Sequence, residues 1–336
     1  MNAFEEHNFQ QPTEAELQRL KYYGFLYVKA HKCSSSTLAG IDIRVSRRVG
    51  SRVLQQSSSA FGNKNKNESQ QKACPHENRH PFANDKYFRY RARDKSFLWS
   101  FTRHPAKRDM SAVYHSYVSR DGLEPTDDNI IRTIEEHYRG YQTEYLASQE
   151  AYNRTYFRAM ETSPDDLWDL VSTDILDSYD FLGVVERMTE SLAVMTFLLN
   201  LDPSDVVVLS AKKSGGYDAQ KKCTLIQKAN WTQGIKEYFA SNRYVHNNPD
   251  LLLYYAVNQK LDRTIDLIGY EKVQERADTI RRLEELAERE CQDEAIFPCS
   301  ATGQPQHEQA QSSCYIKDSG CGFKCVDRVL RNQGYP

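Results

Sequence analysis

The chain has 336 residues, 39% of them hydrophobic, enough to fill a sizeable core in one large domain or two small ones. A net charge of -2 and a pI near 6.5 exclude a whole-chain basic field of the kind that gathers nucleic acid, and no extended local patch replaces it. No window reaches the ~18 to 20 uninterrupted apolar residues of a membrane span, and residues 1–20 lack the apolar core of a signal peptide.

In chain order, residues 24–30 read as a buried strand that breaks into Lys32-Cys33-Ser34-Ser35-Ser36-Thr37. Leu38, Ile41, Val45 and Val49 then recur at helical spacing and predict a helix over 38–49. Residues 51–80 are rich in Ser, Asn, Gln and Lys without periodicity, so a long loop is expected there. A second strand, 97–102, runs into a helix with Pro105 in its first turn and Met110, Val113, Tyr114 and Tyr117 on one face. Residues 126–170 look helical; their aromatics (Tyr138, Tyr141, Tyr145, Tyr152, Tyr156, Phe157, Trp168) read as a packing layer rather than a ligand-stacking surface. Stretches 179–186 and 205–210 read as a third and fourth strand around a helix over 189–200. Residues 250–290 are helical, ending in the apolar stripe Val273, Ala277, Ile280, Leu283 and Leu286 of a docked surface helix. Strand alternating with helix implies an α/β fold, a central parallel sheet flanked on both faces by helices.

Of eight cysteines, five (Cys291, Cys299, Cys314, Cys321, Cys325) fall in the last 46 residues. We expect a cysteine-rich tail, 291–336, cross-linked by disulfides in an oxidising compartment and packed on a main domain, 1–290. The alternatives are free thiols or a zinc site, the latter weakened because the tail has no CxxC pair and only His307 near its cysteines. Sequons at Asn67, Asn153 and Asn230 are compatible with a secreted glycoprotein, although a chain this long produces about that many by chance.

In an open parallel sheet, ligands sit beyond the carboxyl ends of the strands. The loop after the first strand stands at such a place. Backbone N–H groups at the helix start, the hydroxyls of Ser34, Ser35, Ser36 and Thr37, and the Lys32 ammonium would converge on a phosphate. It is not the GxxxxGK[ST] loop of nucleoside triphosphatases, because it has no glycine and its lysine precedes the hydroxyls. A well-capped helix accounts for the same cluster without a ligand. The second loop shifts the balance: Arg103 ends its strand, and Ser111, eight residues on and about two turns into the helix, can share a second anionic group with it. His104, Lys107 and Arg108 add positive charge, and two or more of them are expected to face water. A third stretch, "LSAKKSGGYDAQKKC", offers Lys212, Lys213, Gly215 and Gly216 either as a cover over the ligand or as an exposed basic turn.

Two anion loops on successive strands suit a nucleotide phosphorylated at both ends. Here the chain resembles the sulfotransferases that use 3′-phosphoadenosine 5′-phosphosulfate. "KAHKCSSSTLAGI" looks like their 5′-phosphosulfate loop, with Lys32, Cys33 and Ser34 to Thr37, and "RHPAKRDMSAVY" like their 3′-phosphate motif, with Arg103 and Ser111. The closer similarity is to the carbohydrate branch, the galactose 3-O- and uronyl 2-O-sulfotransferases, through "YDFLGVVERMTESLAVMTFLLNL" and "NNPDLLLYYAVNQKLDRTID". The resemblance covers four segments between residues 24 and 266 and leaves out the tail.

What the resemblance implies is a P-loop-like sulfotransferase fold and in-line transfer of a sulfuryl group to a hydroxyl of a carbohydrate or small metabolite, with 3′-phosphoadenosine 5′-phosphate as product. Lys32 would stabilise the sulfuryl group and the departing phosphate. The resemblance puts the general base in the segment linking the two loops, where His80 is favoured over His76; His31 and Glu77 are further candidates. Animal enzymes of this branch begin with a membrane anchor, so the chain is expected to be either a trimmed form from the Golgi lumen or cytoplasmic. The alternative is a non-catalytic glycan-binding or scaffolding protein that keeps the fold, disfavoured because Lys32, Arg103 and Ser111 are all present. A nucleotide kinase is disfavoured by the missing glycine-rich loop. The expected partner is a hydroxyl-bearing acceptor, with no nucleic acid and no metal.

Overall fold

The structure, a computed structural model, describes residues 22–60, 76–79, 91–148, 164–209, 215–217, 223–246, 248–291, 304 and 322–336. Four strands form its main sheet: β1 (Tyr22–Val28), β2 (His76–Arg79), β3 (Arg91–Thr102) and β4 (Phe181–Val184). All three pairings are parallel and the spatial order is β2-β1-β3-β4. The run Phe25-Leu26-Tyr27-Val28 is buried throughout, as are Leu98 to Thr102 and all of β4. Unbroken burial means that both faces are covered, which is why these strands read as continuous apolar runs rather than alternating ones. Gly183 permits a close approach in the sheet, since a Cβ there would come within 2.5 Å of the Phe101 ring.

After β1 the chain enters α1 (Ser35–Ala60), crosses to β2 on one side, and returns past β1 to β3 on the other. The reversal makes the carboxyl ends of β1 and β3 a topological switch point. From β3 the chain passes into α2 (Pro105–Val113), which a π-helical turn extends through Tyr114–Val118. Next come α3 (Asp127–His137), α4 (Tyr141–Leu146) and α5 (Pro164–Asp169). Beyond β4 lie α6 (Met188–Leu198), the small ribbon β5 (Gly215–Tyr217) with β6 (Cys223–Leu225), then α7 (Gln233–Ala240) and α8 (Asn242–Val245). The long α9 (Pro249–Ile268) and α10 (Tyr270–Cys291) follow, and α11 (Phe323–Asn332) closes the chain.

The main core joins β1, β3, β4, α1, α6, α9 and α10, and includes the stripe Val273, Ala277 and Ile280 expected for a docked helix. A second cluster gathers α2, α3, α7 and α8. A third places Val326, Val329 and Leu330 of α11 against Leu283 and Ala287 of α10, with Cys291 and Cys325 joined as a disulfide. Asp327 of α11 also receives Arg44 Nη1 at 2.7 Å and Arg48 Nη1 at 3.1 Å from α1. The last helix is therefore bound to the helix that leads out of the first loop.

Three sequence expectations need correction. The strand expected over 205–210 is not formed by 205–209, the part that lies within the described residues: Asp202 and Asp205 form a reciprocal cap around a 3₁₀ turn, Pro203–Val206, and Val207 and Leu209 are buried beneath α11 instead of pairing with the sheet. The β-branched run is satisfied by burial alone. Residues 51–60 are not loop but the continuation of α1. The loop expected over 51–80 also contains β2, whose sequence His-Glu-Asn-Arg carries no apolar signal because an edge strand draws its stability from main-chain pairing with β1.

Candidate functional site

The switch point is built from two loops that hydrogen-bond to each other. In the first, Lys32 (φ 62°) and Ser34 (φ 56°) are both left-handed, although neither is glycine. Side chains pay for that conformation, roughly 1 to 2 kcal/mol each, so the loop is held in place by its surroundings. Alternating handedness turns successive N–H groups toward one side, the geometry of an anion-binding nest. The Ser34 carbonyl accepts the first α1 hydrogen bond, from the Leu38 N–H at 3.1 Å. The N–H groups of Ser35, Ser36 and Thr37 are thus in the first turn, where a helix has no acceptors of its own and its dipole favours negative charge. Ser34, Ser35, Ser36 and Thr37 are all partly exposed.

The second loop is held against the first. Arg103 donates from Nη1 to the Lys32 carbonyl at 3.0 Å, and its Nε is buried with no partner among the described residues. An orphaned guanidinium N–H beside a nest is the donor an anionic ligand would satisfy. Gln142 on α4 clamps the pair: its Oε1 accepts from the Cys33 thiol at 3.3 Å and from the Arg103 N–H at 2.8 Å, while its Nε2 donates to the Arg103 carbonyl at 2.9 Å. Burial pushes the Cys33 thiol up to about 12, with Arg108 and Arg103 pulling the other way, so it remains a donor rather than a nucleophile.

Gln142 is itself fixed from below. Its backbone N–H and that of Thr143 donate to Asp250 at 3.1 and 2.8 Å, and Thr143 Oγ1 adds a third bond at 2.8 Å. Gly140, left-handed at φ 76°, lets the chain turn into α4 within 3.0 Å of the Pro249 ring as measured from an added Cβ. Nothing in the sequence singled out Gln142; a buried glutamine inside an aromatic segment carries no periodic or motif signal.

The remaining candidates fall unequally. Ser111 lies partly exposed on α2, the helix that follows Arg103. Lys107 is exposed, 3.8 Å from Glu186. Arg108 does not face water: it is fully buried, bonded to Asp109 at 2.7 Å, and lies over the rings of Tyr138 (4.8 Å) and Tyr141 (4.3 Å). Burial works against its charge, and Asp109 and Asp250 outweigh it. Its role is to bind α2 to α3 and α4. His104 does not supply positive charge either, since burial lowers its pKa and Glu186 only partly restores it. Its N–H donates to Glu186 at 3.1 Å and its ring meets Tyr254 edge-on at 5.2 Å.

His76 and Glu77 lie in β2, paired with Phe25 and Leu26. Arg79 pairs with Val28 at the carboxyl edge, and His80 is the residue bonded to it; His80 itself lies outside the described residues. His31 is exposed next to Lys32, its ring 5.5 Å from that of Tyr145. Gly215 and Gly216, offered either as a cover over the ligand or as part of an exposed basic turn, are ladder residues of β5, and Lys212 and Lys213 lie outside the described residues. Among the described residues no group of three or more His, Cys, Asp or Glu is arranged for a metal, and no helix is long and apolar enough to cross a membrane.

Compared with models of known protein families and with curated proteins, the sequence matches none.

Proposed function

We propose that the chain is a sulfotransferase that moves the sulfuryl group of 3′-phosphoadenosine 5′-phosphosulfate to an acceptor hydroxyl. The observation that carries this reading is the loop at the switch point with Lys32 and Ser34 left-handed, bonded through Lys32 to an arginine whose Nε has no partner among the described residues. The residues present suit the donor: a nest and a helix N-terminus for the 5′-phosphosulfate, Arg103 and Ser111 for the 3′-phosphate.

In this reading the acceptor oxygen bonds to sulfur as the bond from sulfur to the 5′-phosphate oxygen breaks, the electron pair leaving on the phosphate. Lys32 and the first-turn N–H groups of α1 neutralise that charge. The acceptor proton passes to a base, and His80 is the favoured group. Arg79 ends β2 beside Val28, at the edge where the first loop begins, whereas His76 stands three residues back, about 10 Å along the strand. The Cys291–Cys325 disulfide and the exposure of Asn230 agree with a secretory-pathway glycoprotein.

Calorimetry with 3′-phosphoadenosine 5′-phosphate and with AMP tests the reading. The bisphosphate should bind at least about tenfold more tightly, because it fills both loops; equal affinities would remove the second loop from the site.

A further inference from the structure

A cavity of about 590 Å³ opens beyond His104 and has no part in the donor site. Its size falls in the range of small-molecule sites. Trp168, Phe239, Leu252 and Tyr255 make its apolar walls, and its polar groups are His104, Asn248 and Asp165. Trp168 and Tyr255 remain 46% and 56% exposed, aromatic faces left open to solvent over a floor of buried Tyr244 and Leu251. No lysine or arginine is among the described residues that line it, and the formal charge it carries, on Asp165, is negative. Neutral His104 adds none.

Position links this cavity to the chemistry. Arg103 bonds to the Lys32 carbonyl, and the next residue, His104, is part of the cavity wall. The cavity wall therefore begins one residue beyond the arginine that joins the two loops. We propose that the cavity is the acceptor pocket and that it takes a neutral hydroxylated ring compound, a phenol or fused-ring alcohol, in preference to an anionic glycan. Aromatic walls stack on a planar ring, whereas a carboxylate or sulfate would enter an apolar site whose charge repels it and which offers no cation. The proposal rests on the sulfotransferase reading of the switch point.

The test titrates the full chain with 2-naphthol by calorimetry, alone and with saturating 3′-phosphoadenosine 5′-phosphate. The expected result is one site per chain, changed less than about twofold by the nucleotide, and weakened about tenfold in the double variant Trp168→Ala, Tyr255→Ala. Both side chains are exposed enough for the variant to fold, and its nucleotide affinity should stay as it was. A uronate-bearing disaccharide should give no competing heat. Absence of naphthol binding, displacement of naphthol by the nucleotide, or an unaffected double variant would each overturn the assignment. The nucleotide titration reads the donor site separately: naphthol bound without nucleotide binding overturns the sulfotransferase reading and the acceptor role with it, and nucleotide bound without naphthol overturns the pocket alone.

Discussion

The Arg103 guanidinium donates to the main-chain carbonyl of Lys32 at 3.0 Å, joining the loop after β3 to the loop after β1. Arg103→Lys keeps the charge but loses the fork that serves the carbonyl and leaves Nε for a ligand. The variant should bind 3′-phosphoadenosine 5′-phosphate more weakly by about 1.5 to 3 kcal/mol, read by calorimetry. Affinity within a factor of two of the parent would show that the guanidinium serves only the loop.

Lys32 and His80 should separate in kinetics. Lys32→Ala is expected to weaken donor binding and to lower turnover, because its ammonium would meet the phosphosulfate. His80→Ala should leave donor affinity nearly intact and lower kcat by roughly 10² to 10⁴, the usual worth of a general base. His76→Ala, within the ladder of β2, should turn over normally. Normal turnover of His80→Ala, with loss in His31→Ala, would reassign the base.

Gln142 accepts from Cys33 and from the Arg103 N–H, and donates to the Arg103 carbonyl. Gln142→Glu preserves shape and both acceptor roles but sets a carboxylate against that carbonyl. Denaturant unfolding should show a loss of about 2 to 3 kcal/mol, with the donor affinity falling as the loops part. An unchanged midpoint would mean that the loops hold their left-handed turns without the clamp.

Glu284 on α10 supplies a pH signature. Burial, then repulsion from Glu288, opposed by a pull from Arg281 and helped by a smaller push from Glu285, raises its carboxyl to about 7 from the usual 4.5. The folded chain keeps a proton that the unfolded chain gives up, so this group favours folding below about pH 4.5 and that contribution is lost as pH rises to about 7. Glu284→Gln should flatten the decline and leave the protein about 1 to 3 kcal/mol more stable than the parent at pH 8, by unfolding at several pH values.

Reduction should loosen the C-terminal helix. Cys291 and Cys325 close 34 residues of chain, and a bridge of that span contributes about 3 to 4 kcal/mol. Asp327→Ala should cost about 1 to 3 kcal/mol on its own, because Arg44, 2% exposed, loses its carboxylate partner and is left, among the described residues, with the Ser204 carbonyl as hydrogen-bond acceptor. Hydrogen exchange that speeds up in α11 but not in α10 on reduction would locate the effect; equal protection in both states would place the bridge outside the folding balance.

Local chemistry alone made several features legible. Apolar runs marked β1, β3 and β4, because strands buried on both faces need no alternation. Helical spacing marked α1, α2 and α10, and the cluster from Lys32 to Thr37 was recognisable as a loop suited to an anion. Other features depend on partners far away in the chain. β2 is a strand only because β1 offers it a ladder, and Val207 and Leu209 escape the sheet because α11, more than a hundred residues later, covers them. Arg108 looked like a surface charge until Asp109 and two tyrosine rings enclosed it, and His104 like a cation until burial made the neutral imidazole the cheaper form. Gln142 gained its place from folding alone: an amide has no periodicity to reveal it, and its three hydrogen bonds exist only once α4 lies across the ends of β1 and β3.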